Sequence, residues 1–136
     1  MSIGFNLIDA QENLDYLVLN HFCDLRKVSV RLNKLPLSET GRIAITYHDP
    51  MLQEGYVIAL DPRFLSNANQ PIVRGLLAHE LGHVEQMKFF GLFDKSLYAI
   101  IRRMPALNDF YERVADKIAE KRGCKVYLDS LDIALT

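Results

Sequence analysis

From Ile8 to Arg26 the apolar residues Leu14, Leu17, Val18, Phe22 and Leu25 recur at spacings of three and four, which predicts an amphipathic helix with one buried stripe. His21 falls beside that stripe and is expected to be a half-buried, hydrogen-bonded histidine of the helix face rather than a site residue. The period then drops to two. Val28, Val30 and Leu32 alternate with polar residues, and Ile43, Ile45 and Tyr47 do the same within Arg42 to His48, predicting two strands. Asn33 to Gly41, with Pro36, Ser38 and Gly41, reads as the connection between them, and Asp49-Pro50 breaks the second strand. Gly55 to Leu60 is more continuously apolar, giving a third strand through Tyr56, Val57, Ile58 and Ala59 that Asp61-Pro62 ends.

Ser66 to Gln70 is a polar loop. Pro71 suits a first helical position and Gly91 the residue past a helix end, so Pro71 to Phe90 is predicted to be one long helix. Lys95 to Arg103 and Ala106 to Arg122 are both helix-like, with Pro105 marking a kink or a fresh start and Gly123 stopping the second. Lys125 to Leu135 has mixed apolar residues and is expected to form a short strand or a docked tail. A helix, then strands, then helices, without repeat or linker, predicts an α+β domain whose small twisted sheet packs on the later helices.

With 136 residues, 49% hydrophobic and 24% charged, the chain can build one core and is expected to be a single domain over residues 1–136. A net charge of -1 and a pI near 6.4 provide no basic field for phosphate backbones, so nucleic acid is not an expected partner. Cys23 and Cys124 lie far apart and belong to no CxxC or Cys/His pattern, and are expected to be reduced and structural. Met1 to Leu14 carries Asp9 and Glu12 where an export signal would be apolar, and the apolar stretch Phe89 to Ile101 is interrupted by Gly91, Asp94 and Lys95. A soluble, cytoplasmic protein with no membrane insertion is the expectation.

The chemistry concentrates in the long helix, where Leu77-Ala78-His79-Glu80-Leu81-Gly82-His83 contains the pattern HExxH. Positions four apart lie about 40° from each other around a helix, so His79 and His83 can address one metal ion, with Glu80 placed to take a proton from water bound to it. Ile72, Val73, Leu76, Leu77, Leu81 and Val84 surround these residues, and buried imidazoles and a carboxylate need a partner there. A catalytic zinc takes three protein ligands and keeps one open position. The continuation HExxHxxGxxH is excluded, because Gln86 and Phe89 occupy its further positions.

The other common solution is an acid on a separate helix, and Glu112, 29 residues beyond His83, offers one. There Leu107, Tyr111, Val114 and Ile118 form an apolar stripe, Arg113, Lys117, Glu120 and Lys121 a charged one, and Glu112, Ala115, Asp116 and Ala119 a narrow lane between them. Small alanines let that lane approach another helix, placing Glu112 on the metal and Asp116 as acceptor for the second ring proton of a ligand histidine, His79.

HELGH followed by ExxAD resembles the gluzincin zinc metallopeptidases. The stretch Arg74 to Val84 is especially similar to the soluble core of HtpX-like and CAAX-prenyl-type endopeptidases, and without their membrane helices the chain resembles the minigluzincins. The resemblance covers Gly55 to Gly123. It implies a zincin-like fold, one zinc per chain held by His79, His83 and Glu112, Glu80 as general base, and a peptide or unfolded protein as substrate. It also implies that Gly55 to Leu60 is an edge strand over the cleft, where Tyr56, Val57, Ile58 and Ala59 pair with an extended peptide. Family members often hold the oxyanion with a Tyr, His or Arg beyond the glutamate helix; Tyr127 is the guess here, with tail packing as its alternative. Peptide deformylases also use HExxH, but with a cysteine ligand in a motif this chain lacks. Two alternatives stay open: a zinc-binding module that holds peptides without cutting them, and a latent enzyme whose C-terminal tail offers Asp129 or Asp132 to the zinc.

Overall fold

The computed structural model describes residues 6–52, 55–91, 100 and 102–136. Helix α1 (Leu7–Asn20) opens with a capping box, in which the Asn6 side chain accepts from the Asp9 amide and the Asp9 carboxylate from the Asn6 amide. It is shorter than the sequence pattern predicts. The chain leaves the helix at His21, and a short 3-10 turn, Cys23–Leu25, buries Phe22 and Leu25 alongside Leu14 and Leu17. His21 accepts the expected structural role, its Nδ1 lying 2.7 Å from the Arg122 carbonyl oxygen.

Strands β1 (Ser29–Lys34), β2 (Ala44–His48) and β3 (Gly55–Leu60) form one sheet in the order β1-β3-β2, with β3 parallel to β1 and antiparallel to β2. Every residue of β3 is buried. This corrects the expectation of an edge strand: Tyr56, Val57, Ile58 and Ala59 lie in the central strand, with both backbone edges paired. A strand covered on both faces and hydrogen-bonded on both sides is where a continuous apolar run belongs. β1 and β2 are the two outer strands of the sheet, with no further strand beside either among the described residues.

After the short helix α2 (Pro62–Asn67), helix α3 (Gln70–Gly91) runs through the middle of the molecule, its first turn capped by the Asn69 side chain, which accepts from the Ile72 amide. Val73, Leu76, Leu77, Leu81, Val84 and Met87 are each at most 3% exposed, and burial of such side chains is worth roughly 1.5–3 kcal/mol apiece. Helix α4 (Pro105–Lys121) starts afresh at Pro105 as expected and stops at Gly123, whose φ of 88° suits glycine. The predicted helix Lys95 to Arg103 lies largely outside the described residues.

Lys125–Leu135 is not a strand; of the two expectations the docked tail holds, and it docks as a helix, α5. Its apolar residues Leu128 and Leu131, three apart, are buried against α3.

Two glycines on one face of α3 admit its neighbours. A Cβ at Gly75 would stand 2.2 Å from the Tyr127 carbonyl oxygen of α5, and one at Gly82 would stand 2.4 Å from the Ala115 carbonyl oxygen of α4. The alanine lane of α4 thus meets the HExxH turn of α3 at backbone contact. Cys23 is exposed, Cys124 is buried, and neither forms a disulfide. No helix among the described residues is long and apolar enough to cross a membrane.

Candidate metal centre

One turn apart on α3, the rings of His79 and His83 stand nearly perpendicular with centroids 4.7 Å apart. Their Nε2 atoms are 3.1 Å from each other, and Glu112 Oε2 lies 2.9 Å from the first and 2.7 Å from the second. Because α4 crosses at Gly82, Glu112 reaches both rings from across the helix pair.

The partners on the far side of each ring decide which nitrogens carry hydrogen. His79 Nδ1 is 2.6 Å from Asp116 Oδ1, a carboxylate that can only accept, so this nitrogen donates. His83 Nδ1 is 2.8 Å from Gln86 Oε1, and the Gln86 amide is held in that orientation because its Nε2 donates to the Tyr111 carbonyl at 2.8 Å. Both histidines therefore donate outward through Nδ1. Their Nε2 lone pairs point inward at each other and at a carboxylate oxygen. Three lone-pair atoms converging this closely repel unless a cation or a proton lies between them. Two imidazole nitrogens and one carboxylate oxygen are also a ligand set that suits zinc. With metal–ligand bonds of about 2.0–2.1 Å, tetrahedral ligand atoms stand about 3.3 Å apart, a few tenths of an ångström beyond the spacings here. The residues fit the ion.

Electrostatics carry the same mark. Burial favours a neutral His79 and is the largest single influence on it, but the Asp116 and Glu112 carboxylates, joined by the charge of Glu80, outweigh it and push the pKa up to about 10. Burial likewise opposes ionisation of Glu112; contacts from His79, His83 and Arg102 overcome it and hold the carboxyl well below the usual carboxylate range.

Glu80 is buried, and the Thr46 hydroxyl of β2 donates a short hydrogen bond to its Oε2. Both line an open cavity of about 410 Å³ with His79, His83, Glu112 and Asp116. Residues Arg42 to Thr46, at the start of β2, form one wall, and Leu131, Asp132 and Leu135 of α5 contribute another.

Five of the sequence-predicted residues, His79, Glu80, His83, Glu112 and Asp116, are thus brought together. Tyr127 is not. Its hydroxyl accepts from Arg74 Nη1 at 3.0 Å and its ring packs edge-on against His21, so it serves the packing of α5 on α3 and lies apart from the cavity lining. Asp129 faces Lys125 at 3.5 Å; Asp132 lines the cavity but does not belong to the group of ligand atoms.

Three further residues emerge with the geometry. Thr46 holds Glu80, Gln86 fixes His83, and Arg102 contacts the outer oxygen of Glu112. Gln86, three residues after His83, was within reach of the helical spacing rule. Thr46 and Arg102 had no local signal. Among known proteins, no family model matches the chain, and no significant similarity to a curated protein or a solved structure is found.

Proposed function

We infer that the chain is a zinc-dependent endopeptidase of the gluzincin type, hydrolysing peptide bonds with Glu80 as general base. The observation that carries the reading is the convergence of His79 Nε2, His83 Nε2 and Glu112 Oε2 beside the buried Glu80 carboxylate, all on the wall of an open cavity. His79, His83 and Glu112 would hold the zinc, which when bound polarises a carbonyl and lowers the pKa of water towards about 7.

The protein groups divide the remaining work. Glu80 takes a proton from the attacking water and returns it to the departing amine. Thr46 occupies Glu80 Oε2, which leaves Oε1 for the proton and keeps the carboxylate from rotating. Asp116 and Gln86 fix the tautomers that present both Nε2 lone pairs inward. The cavity-lining part of β2, Ala44 to Thr46, has no strand beyond it among the described residues and would offer main-chain donors and acceptors to an extended peptide lying in the cavity. Pairing through the main chain is indifferent to side chains, so the expected substrates are unfolded proteins or flexible peptides.

Glu80→Gln keeps the size of the side chain and removes the base. It is expected to leave fold and zinc content unchanged while lowering chelator-sensitive cleavage of denatured protein by about 10²–10⁴-fold. Cleavage retained at the wild-type rate in a zinc-loaded Glu80→Gln protein contradicts the assignment. Zinc uptake with no turnover by the wild type across a broad peptide library favours instead a module that binds peptides without cutting them.

A further inference from the structure

Glu112 uses its two oxygens for different purposes. Oε2 faces the histidine pair, while Oε1 accepts from Arg102 Nη1 at 2.9 Å. The same guanidinium nitrogen donates to Asn108 Oδ1 at 2.6 Å, and the guanidinium carbon lies 4.9 Å from the centroid of the Tyr111 ring. That ring also stacks on His83, with centroids 4.8 Å apart and planes 20° from parallel. Only 20% of the Arg102 side chain is exposed, and the residue lines the cavity. Arg102 is therefore anchored at one polar and one aromatic point besides Glu112.

A carboxylate with both oxygens free rotates about its last bond and can give a cation one oxygen or two. A charge-assisted hydrogen bond to one oxygen, roughly twice as strong as a neutral one, removes that choice. Arginine suits this because its planar fork can serve two acceptors while lying on an aromatic face, which a lysine ammonium does not do as well.

We propose that Arg102 is a positioning residue that occupies Oε1 of Glu112, so that this ligand gives the metal a single oxygen and the site keeps an open position. The proposal rests on the metal-site reading above and concerns how that site is shaped. If Arg102 were merely a surface tie at the start of α4, its loss would lower stability and leave metal binding alone.

The test uses the full chain as wild type, Arg102→Ala, Arg102→Lys and Asn108→Ala, with thermal melts to establish that each is folded. Each is titrated with Zn²⁺ and with Co²⁺, whose visible absorption reports coordination number. Arg102→Ala is expected to bind both metals about 10–100-fold more weakly. Its Co²⁺ bands should lose intensity as Glu112 turns to offer both oxygens and the coordination number rises. Arg102→Lys should recover part of the affinity.

A folded Arg102→Ala protein with wild-type affinity and an unchanged Co²⁺ spectrum overturns the proposal and leaves the metal site standing. If Arg102→Ala does not fold, Arg102→Lys and Asn108→Ala decide, since the first loses the planar fork and the second one anchor of the guanidinium: weaker binding with a changed Co²⁺ spectrum in either supports the proposal, and wild-type affinity with an unchanged spectrum in both overturns it. A wild-type protein that takes up neither metal overturns both the site reading and this one.

Discussion

The two helices that cross α3 use the same device for different ends. At Gly75 the backbone of α5 comes in against α3, and the residues around the crossing are Leu128, Leu131 and the Arg74–Tyr127 contact, which pack the two helices together, Leu131 also forming part of the cavity wall. At Gly82 the backbone of α4 comes in equally close, and there the residues carried are Glu112 and Asp116, which meet His79 and His83. A missing Cβ sets how near a neighbour can approach in both places; what the neighbour brings determines whether the crossing holds the fold or makes a site.

Substituting each glycine by alanine separates these roles. Gly82→Ala should have the largest effect on the site, because the new methyl group would lie 2.4 Å from the Ala115 carbonyl oxygen and α4, which carries Glu112 and Asp116, must retreat. Overpacking of this kind costs about 1–3 kcal/mol or more, and here it should also weaken metal binding by withdrawing Glu112. Gly75→Ala should cost comparable stability, since its contact is as tight, while folded molecules keep wild-type metal affinity. Denaturant melts paired with metal titrations check both. Equal loss of metal affinity in the two variants would erase the distinction between the crossings.

A smaller effect sharpens the comparison by proton count. With its pKa pushed up to about 10, His79 in the metal-free protein holds at pH 7 a proton that a metal ligand must give up. Metal uptake at pH 7 should therefore release about one proton per chain, and affinity should rise about tenfold per pH unit from 7 towards 10. Because the folded pKa lies above the usual value of 6.5, the stabilisation that His79 gives the metal-free fold is full below about pH 6.5 and is lost as pH rises through about 10. Calorimetry in buffers of different ionisation enthalpy measures the release. No proton release at pH 7 contradicts the description of His79.

How much of this could be read from the chain depended on how local each signal was. His79, Glu80 and His83 share one helix, and Glu112, Ala115, Asp116 and Ala119 share another, so helical spacing alone was enough to group them. Strand order is a tertiary fact. A continuous apolar run such as Gly55 to Leu60 suits a central strand, but the expectation by resemblance put it at the edge, and the cleft is lined by the less apolar β2 instead. In α5 the spacing of Leu128, Leu131 and Leu135 was helical all along, but a short C-terminal stretch after a glycine also reads as a tail. Thr46 and Arg102 join the site only when sheet and helices come together, and no spacing rule reaches that far.

The central claim is that His79, His83 and Glu112 form one metal site, and elemental analysis of the purified wild-type protein beside Glu112→Ala tests it most directly. About one zinc per chain in the wild type, lost or greatly reduced in the variant, is the predicted result. No bound metal in either protein after zinc has been supplied would contradict it, and would leave the convergence of the three side chains to a shared proton alone.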